Sequence, residues 1–187
     1  MKSFKPTQLT FPDRDDPAWP RAVFDTTQVY RYWWARRWNP SDPVLHFLML
    51  NPSTADAERS DPTVTRCHHY AEAWGFGTLI VTNLFAYRST NPHLLTTASD
   101  PVGPDTDAWI LRAVQAAHQT IVAWGTHGAI HGRQAQVLAL LAGHSLYALG
   151  LSRAGFPRHP LYLPRTARPI LYAPALPLNP NAASAPE

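Results

Sequence analysis

The chain has 187 residues, 45% of them hydrophobic, and a formal net charge of +3. This length suits one domain with a sizeable core, and the hydrophobic content excludes an intrinsically disordered chain. The weak positive charge permits a nucleic-acid partner, but the chain lacks the dense basic run of a protein that coats DNA. Cys67 is the single cysteine, so we expect neither a disulfide nor a bound metal.

The two ends differ in composition from the middle of the chain. Residues 1–20 are rich in proline and aspartate and predict an extended arm, and residues 165–187, rich in proline and alanine, predict a loosely packed tail. Residues 21–164 are expected to form the single domain. Because no signal-peptide pattern or apolar run of membrane length occurs, we expect a cytoplasmic protein without a membrane partner. We also expect a monomer.

The first predicted elements lead to a buried strand. Residues 22–38 predict a strand, a turn and a second strand, an antiparallel pair. The run VLHFLML at 44–50 has six apolar residues in seven, which is typical of a strand buried on both faces. This strand ends at a turn formed by Asn51, Pro52 and Ser53.

Helices and strands alternate after that turn. Asp61 and Pro62 predict a helix start, an N-cap followed by proline at the first helical position, and Gly75 predicts its end. Further along, the sequence predicts a buried strand at 78–83, a long loop at 85–101, helices at 104–118 and 129–142, and strands at 120–124 and 145–149.

This alternation predicts βαβ units and a parallel sheet covered by helices. Four polar loops then follow the carboxyl ends of the strands: NPSTAD, NLFAYRST, GTHG and RAGFPRHP. In such sheets ligands bind beyond the carboxyl ends of the strands. We therefore expect the four loops to meet at one edge and to form a binding site there.

These loops carry motifs that resemble the DUF1643 family of bacterial and phage proteins, whose name implies no established activity. The resemblance covers residues 30–163. The motifs are MLNPSTAD at 49–56, DPTVTR at 61–66, NLFAYRST at 83–90, AWG at 123–125 and a closing glycine, proline and HPL within 155–161.

The content and order of the loops are also similar to those of the uracil-DNA glycosylase superfamily. That resemblance implies a three-layer α/β/α fold with a central, mostly parallel four-stranded sheet in the order 2-1-3-4, to which this chain adds the N-terminal antiparallel pair. It implies that Asn51 positions the attacking water, that Asn83 reads the flipped base, and that His159 stabilises the leaving base. The substrate-binding residues expected from the loops are Pro52, Ser53, Asn83, Arg66, Arg88, Trp124, Gly125 and Leu163.

Two aspartates are expected to support this site. Asp61 is the predicted N-cap and is also placed to pair with Arg66 or Arg88, and Asp107 lies early in the second helix. Leu163 would lie near the intercalating leucine of the superfamily.

The chain departs from the superfamily at several positions. Leu161 and Tyr162 replace the serine and proline that follow its histidine–proline pair, and no aspartate occupies the water-activating position. The superfamily's iron–sulfur cysteines are also missing. These departures argue against efficient removal of uracil from DNA.

Two functions remain open at this stage, and a third possibility is a purely structural domain whose carboxyl edge is closed. One is a hydrolase that cleaves the N-glycosidic bond of an ordinary or modified base in DNA or in a nucleotide, without a cofactor. The other is a binding module of the same fold for a nucleobase, nucleotide or nucleic acid. Each key residue also has a structural alternative: Asn51 as a turn former, Asn83 as a loop cap and His159 as a loop histidine.

Overall fold

The computed structural model describes residues 21–53 and 61–173, in which strands and helices alternate. The predicted arm at 1–20 lies outside the described residues, as do residues 174–187 of the predicted tail. The strands are Ala22–Phe24 (β1), Arg31–Arg37 (β2), Val44–Met49 (β3), Thr78–Asn83 (β4), Gln119–Val122 (β5), Leu146–Ala148 (β6) and Ile170–Leu171 (β7). The α-helices are Pro62–Ala73 (α1), Thr106–Ala116 (α2) and Arg133–Leu140 (α3), and the 3₁₀ helices are Pro92–Thr96, Thr126–Gly132 and Pro160–Tyr162.

The mixed α/β fold is confirmed, but the sheet is larger than the four strands predicted. The described strands form one seven-stranded sheet in the order β1-β2-β4-β3-β5-β6-β7. Strands β4, β3, β5 and β6 run parallel to their neighbours in that set. The sheet continues at one side because β2 pairs antiparallel with β4, which joins the N-terminal strand pair to the parallel strands.

Helices cover both faces of the sheet, so the layers are helix, sheet and helix. Side chains alternate along β3: Leu45 and Phe47 pack in the cluster that contains Tyr70 of α1, and Leu48 packs in a second cluster with Ile110 of α2. All six residues of β3 are buried, as a strand covered on both sides requires.

The ends of α1 follow their sequence signals. The carboxylate of Asp61 accepts a hydrogen bond from the Thr63 N–H at 2.6 Å, which caps the helix that Pro62 begins. Gly75 follows the C-cap Trp74 with a φ of +80°, a conformation that glycine adopts without strain. Local capping chemistry therefore sets the residues at which this helix starts and ends.

Residues 170–172 of the predicted tail pack on the sheet. Residues Ile170–Leu171 form β7, which pairs antiparallel with β6. The Tyr172 N–H donates to the Leu146 carbonyl at 2.8 Å, and the Tyr172 ring meets the Trp124 ring edge-on with centroids 6.1 Å apart. Burial of the Tyr172 ring fixes this segment on the sheet, which the proline-rich composition of the segment does not predict.

A histidine lies in the middle of the sheet. His46 on β3 is fully buried, and its Nε2 lies 2.8 Å from the Thr82 hydroxyl on β4. Its Nδ1 lies 3.3 Å from the Thr120 hydroxyl on β5. Burial lowers the pKa of His46 to about 3. The ring is therefore neutral at pH 7 and joins three neighbouring strands.

We expect acid to destabilise the protein through His46. Its pKa is lower in the folded protein than in the unfolded chain, so its contribution to stability is complete above pH 6.5 and is lost as the pH falls from there toward 3. At pH 5 this loss amounts to about 2 kcal/mol. The measurement is the free energy of unfolding in urea between pH 8 and pH 5, for the wild type and for His46→Gln. The variant should show a flatter profile, and parallel profiles would contradict the prediction.

Candidate functional site

A cavity of about 570 Å³ opens at the carboxyl ends of the parallel strands. This volume lies within the range of about 300–1,000 Å³ that is usual for small-molecule sites. Its wall brings together residues from all four of the loops singled out in the sequence. The predicted site residues that line it are Asn51, Ser53, Asp61, Asn83, Trp124, Gly125 and His159.

Asn83 is the last residue of β4 and forms part of the cavity wall. Only 4% of it is exposed, and its carboxamide makes no hydrogen bond to another residue of the described ranges. Since Asn83 lines the cavity, its carboxamide can form hydrogen bonds with a polar ligand there. One group that both donates and accepts is suited to reading the edge of a planar ring.

Asn51 is held by the loop that follows β4. Its Nδ2 donates to the Ser89 carbonyl at 2.8 Å, and the Ser89 N–H donates to the Pro52 carbonyl at 2.9 Å. These bonds join the turn after β3 to the loop after β4. Because Nδ2 is engaged, the Oδ1 atom of Asn51 is the acceptor that this side chain offers to the cavity.

His159 enters from the fourth loop and caps the 3₁₀ helix Pro160–Tyr162. Its Nδ1 accepts a hydrogen bond from the Leu161 N–H at 3.4 Å. Burial lowers the pKa of His159, an effect that the negative charge of Asp61 partly opposes. A neutral imidazole whose Nδ1 accepts carries its proton on Nε2, so Nε2 is its donor.

Trp124 and Gly125 follow β5 and form another part of the wall. The Trp124 side chain is 1% exposed, and its Nε1–H donates to the Gln134 side chain at 3.0 Å. Gly125 has a φ of +72°, and its N–H donates to the Pro157 carbonyl at 2.8 Å. This bond fastens the third loop to the fourth.

Asp61 is the carboxylate among the described residues of the wall. Burial alone would raise the pKa of Asp61, but hydrogen bonds from Thr63 and Ser53 and the positive charge of Arg31 together lower it. Asp61 is therefore ionised at neutral pH and contributes a fixed negative charge.

The two arginines expected to bind substrate do not line the cavity. Arg66 donates from Nη1 to the Leu163 carbonyl at 2.8 Å and so ties α1 to the loop after β6. Arg88 donates from Nη1 to the Gln28 carbonyl at 2.9 Å, and its guanidinium lies 4.9 Å from the centre of the Phe24 ring. Both arginines donate to backbone carbonyls of segments distant in the sequence, and the spacing of residues does not predict these contacts.

Three other expected site residues also lie outside the cavity wall. Pro52 is buried and contributes its carbonyl to the bond with Ser89. Leu163 packs in the α1-side core with 8% of its surface exposed, so it is not presented for intercalation. Asp107 pairs with Arg133, whose Nε also donates to the Leu84 carbonyl at 2.8 Å. Asp107 thus holds α2 against α3.

Sequence reasoning missed Arg31, the first residue of β2, which is 5% exposed and lines the cavity. It lies between Tyr30 and Tyr32, and the pattern there indicates only a strand of aromatic residues. Tyr162, which in the sequence is only a departure from the superfamily, is a second lining residue that the sequence did not predict. It is 74% exposed in the cavity wall, and its ring centre lies 5.7 Å from that of His159.

Two further observations concern membrane helices and metal ligands among the described residues. None of the helices in 21–53 and 61–173 combines the length and hydropathy needed to cross a bilayer. Within the same ranges, histidine, cysteine, aspartate and glutamate side chains do not gather in groups of three or more suited to holding a metal ion.

The fold and the cavity define an α/β protein with a pocket of mixed polar and apolar lining at the carboxyl edge of its parallel strands. The chain belongs to the DUF1643 family, described as a protein of unknown function, whose model matches residues 31–161. Comparison with curated proteins and with solved structures gives no match.

Proposed function

We propose that this protein hydrolyses the N-glycosidic bond of an ordinary or modified base in DNA or in a nucleotide, as uracil-DNA glycosylases do. The observation that carries the proposal is the meeting of Asn51, Asn83 and His159 in the wall of one cavity. The four parallel strands lie in the order β4-β3-β5-β6. Numbered along the chain this order is 2-1-3-4, which supports the same proposal.

Each of the three side chains offers the atom that the reaction needs. Cleavage breaks the bond between C1′ of the sugar and the ring nitrogen, and the bonding electrons leave with the base. Asn83 would form hydrogen bonds with the edge of the base. His159 would donate from Nε2 to a carbonyl oxygen of the base as negative charge develops on the base. Asn51 would orient a water through Oδ1. The water's hydroxide adds to C1′, and its proton goes to the departing base.

Asp61 extends this scheme beyond the residues matched by resemblance. The bond-breaking transition state places positive charge on the sugar, and an ionised carboxylate in the cavity wall stabilises positive charge. Its low pKa makes it a weak base, which suits a step in which the base departs before water has added.

Tyr162 supports a planar substrate. A base taken out of a duplex loses its stacking, at a cost of a few kcal/mol. An exposed aromatic ring at the wall of the cavity offers a new stacking surface, worth about 1–3 kcal/mol per base.

A binding module without turnover is the second candidate. Two departures from the glycosylase superfamily favour it: no aspartate occupies the water-activating position, and Leu161 and Tyr162 replace the serine and proline after the histidine–proline pair. A protein that binds a nucleobase without cleaving its glycosidic bond needs Asn83 and the stacking surface but needs no residue that activates water.

Incubation with defined substrates tests the proposal. The panel consists of oligonucleotides with one uracil, hypoxanthine or hypermodified pyrimidine, single- and double-stranded, together with the corresponding free nucleotides. Released base is measured by mass spectrometry, and abasic sites by alkaline strand cleavage. We expect base release from at least one substrate and none with Asn51→Ala. Saturable binding without release would identify a binding module, and neither binding nor release would refute both candidates.

A further inference from the structure

The structure contains a buried arginine that the proposed chemistry does not use. Arg31 is 5% exposed, and its Nε is buried without a hydrogen-bond partner. No hydrogen bond joins its guanidinium to another residue of 21–53 and 61–173. Its backbone N–H donates to the Ala86 carbonyl at 2.9 Å, which fixes the start of β2 beside the segment after β4.

An anion would stabilise the buried guanidinium of Arg31. Removing a charge from water is expensive unless an opposite charge and hydrogen bonds compensate it. Burial lowers the pKa of Arg31 to about 10, and the nearby charge of Arg88 acts in the same direction. The side chain remains positively charged at neutral pH and has no hydrogen-bond acceptor among the described residues.

Asp61 does not meet this need by direct pairing. It is close enough to interact electrostatically with Arg31, but no ion pair within 4.0 Å joins the two side chains. Its carboxylate is instead bonded by Thr63 and Ser53. The guanidinium of Arg31 thus has no ion-pair partner among the described residues, and Arg31 lines the cavity.

The charges of the wall also favour an anion. Among the described lining residues, Arg31 and Arg158 are positive and Asp61 is negative, and His159 is neutral at pH 7 because burial lowers its pKa. The net charge of these four groups is therefore positive. Arg158 is itself exposed and donates from Nη2 to the Tyr162 carbonyl at 3.1 Å, so the buried charge is that of Arg31.

We propose that Arg31 binds a phosphate group of the ligand inside the cavity, so that the ligand is a nucleotide recognised by its phosphate as well as by its ring. A guanidinium fork matches the oxygens of a phosphate and bonds two of them at once. The choice of a nucleotide rests on the proposed function. The phosphate can belong to a free nucleoside monophosphate or to the phosphodiester of a strand.

Binding measurements with matched ligands test this assignment. Four deoxynucleosides, their 5′-monophosphates, inorganic phosphate and a short single-stranded oligonucleotide are titrated by calorimetry into the wild type and Arg31→Met. Arg36→Met is the control, because Arg36 lies on the same strand but is exposed and outside the cavity wall. We expect the wild type to bind at least one phosphorylated ligand about tenfold or more tightly than its nucleoside, equivalent to about 1.4 kcal/mol.

The variants separate a role in binding from a role in folding. Arg31→Met should abolish the preference for phosphate, whereas Arg36→Met should keep it. Without ligand, Arg31→Met should melt at or above the wild-type temperature, since it removes a buried charge that has no partner in 21–53 and 61–173. If Arg31→Met does not fold, Arg31→Lys keeps the charge but loses the fork and should show a reduced preference.

Each outcome has a distinct meaning. A preference for the monophosphate supports a free nucleotide, and a preference for the oligonucleotide supports a strand. Equal binding of nucleoside and phosphorylated ligands by the wild type, or a preference that persists in Arg31→Met, would overturn the inference. Base release is measured separately. If binding depends on Arg31 but no base is released, only the glycosylase function is refuted. If base is released and Arg31→Met leaves the rate unchanged, only the phosphate site is refuted.

Discussion

Replacing His159 by alanine is expected to lower the rate of base release by about 10²- to 10³-fold, the usual cost of losing one donor to a developing oxyanion. The Leu161 N–H donates to Nδ1 of the imidazole, which holds the ring at the start of the 3₁₀ helix and leaves Nε2–H as its donor. The measurement is a single-turnover rate at pH 7.5 with the best substrate of the panel. Substrate affinity should change much less than the rate.

Two variants make this prediction specific. His159→Gln places an amide donor near the position of Nε2 and should recover part of the rate. His144→Ala removes an exposed histidine before β6 and should behave as the wild type. Equal rates for His159→Ala and the wild type would show that this histidine does not stabilise the leaving base.

Replacing Asn83 by alanine is expected to weaken binding of the cognate ligand by about 10- to 100-fold, as the loss of hydrogen bonds in a buried site predicts. The side chain has no partner within the described residues that its removal would leave unbonded. The melting temperature without ligand should therefore change little. The measurement is the dissociation constant by calorimetry, alongside the melting temperature.

A more conservative change separates recognition from packing. Asn83→Asp keeps the shape and the acceptor but removes the amide donor, so it should favour ligands whose ring edge donates. Asn39→Ala serves as the control, because Asn39 bonds with Asp42 in the turn before β3, at the opposite end of that strand. Unchanged ligand preference in both Asn83 variants would place the ring elsewhere.

Local signals predicted much of the fold and several of the residues that line the cavity. The apolar run at 44–50 gave a strand with all six of its residues buried, and Asp61 with Pro62 gave the start of α1. The parallel strands then brought Asn51, Asn83 and His159 to one cavity by topology. In these cases the decisive interaction is either local or imposed by the alternation of strands and helices.

What the sequence did not predict depends on contacts between distant segments. Arg31 lines the cavity because β2 joins the sheet beside β4, an arrangement that no pattern within residues 22–38 encodes. Leu163 belongs to the core and not to a ligand-facing loop because the chain after β6 packs back toward α1. Arg66, Arg88 and Asp107 look like site residues by type and spacing, but their partners are backbone carbonyls and another side chain.

The most direct test of a nucleotide pocket is a crystal structure of the protein soaked in turn with the four deoxynucleoside 5′-monophosphates and deoxyuridine monophosphate. We predict electron density for at least one of them in the cavity, with its ring edge at the Asn83 carboxamide and its phosphate at the Arg31 guanidinium. Density for none of them in this cavity, or a bound nucleotide that contacts neither residue, would contradict the function proposed here.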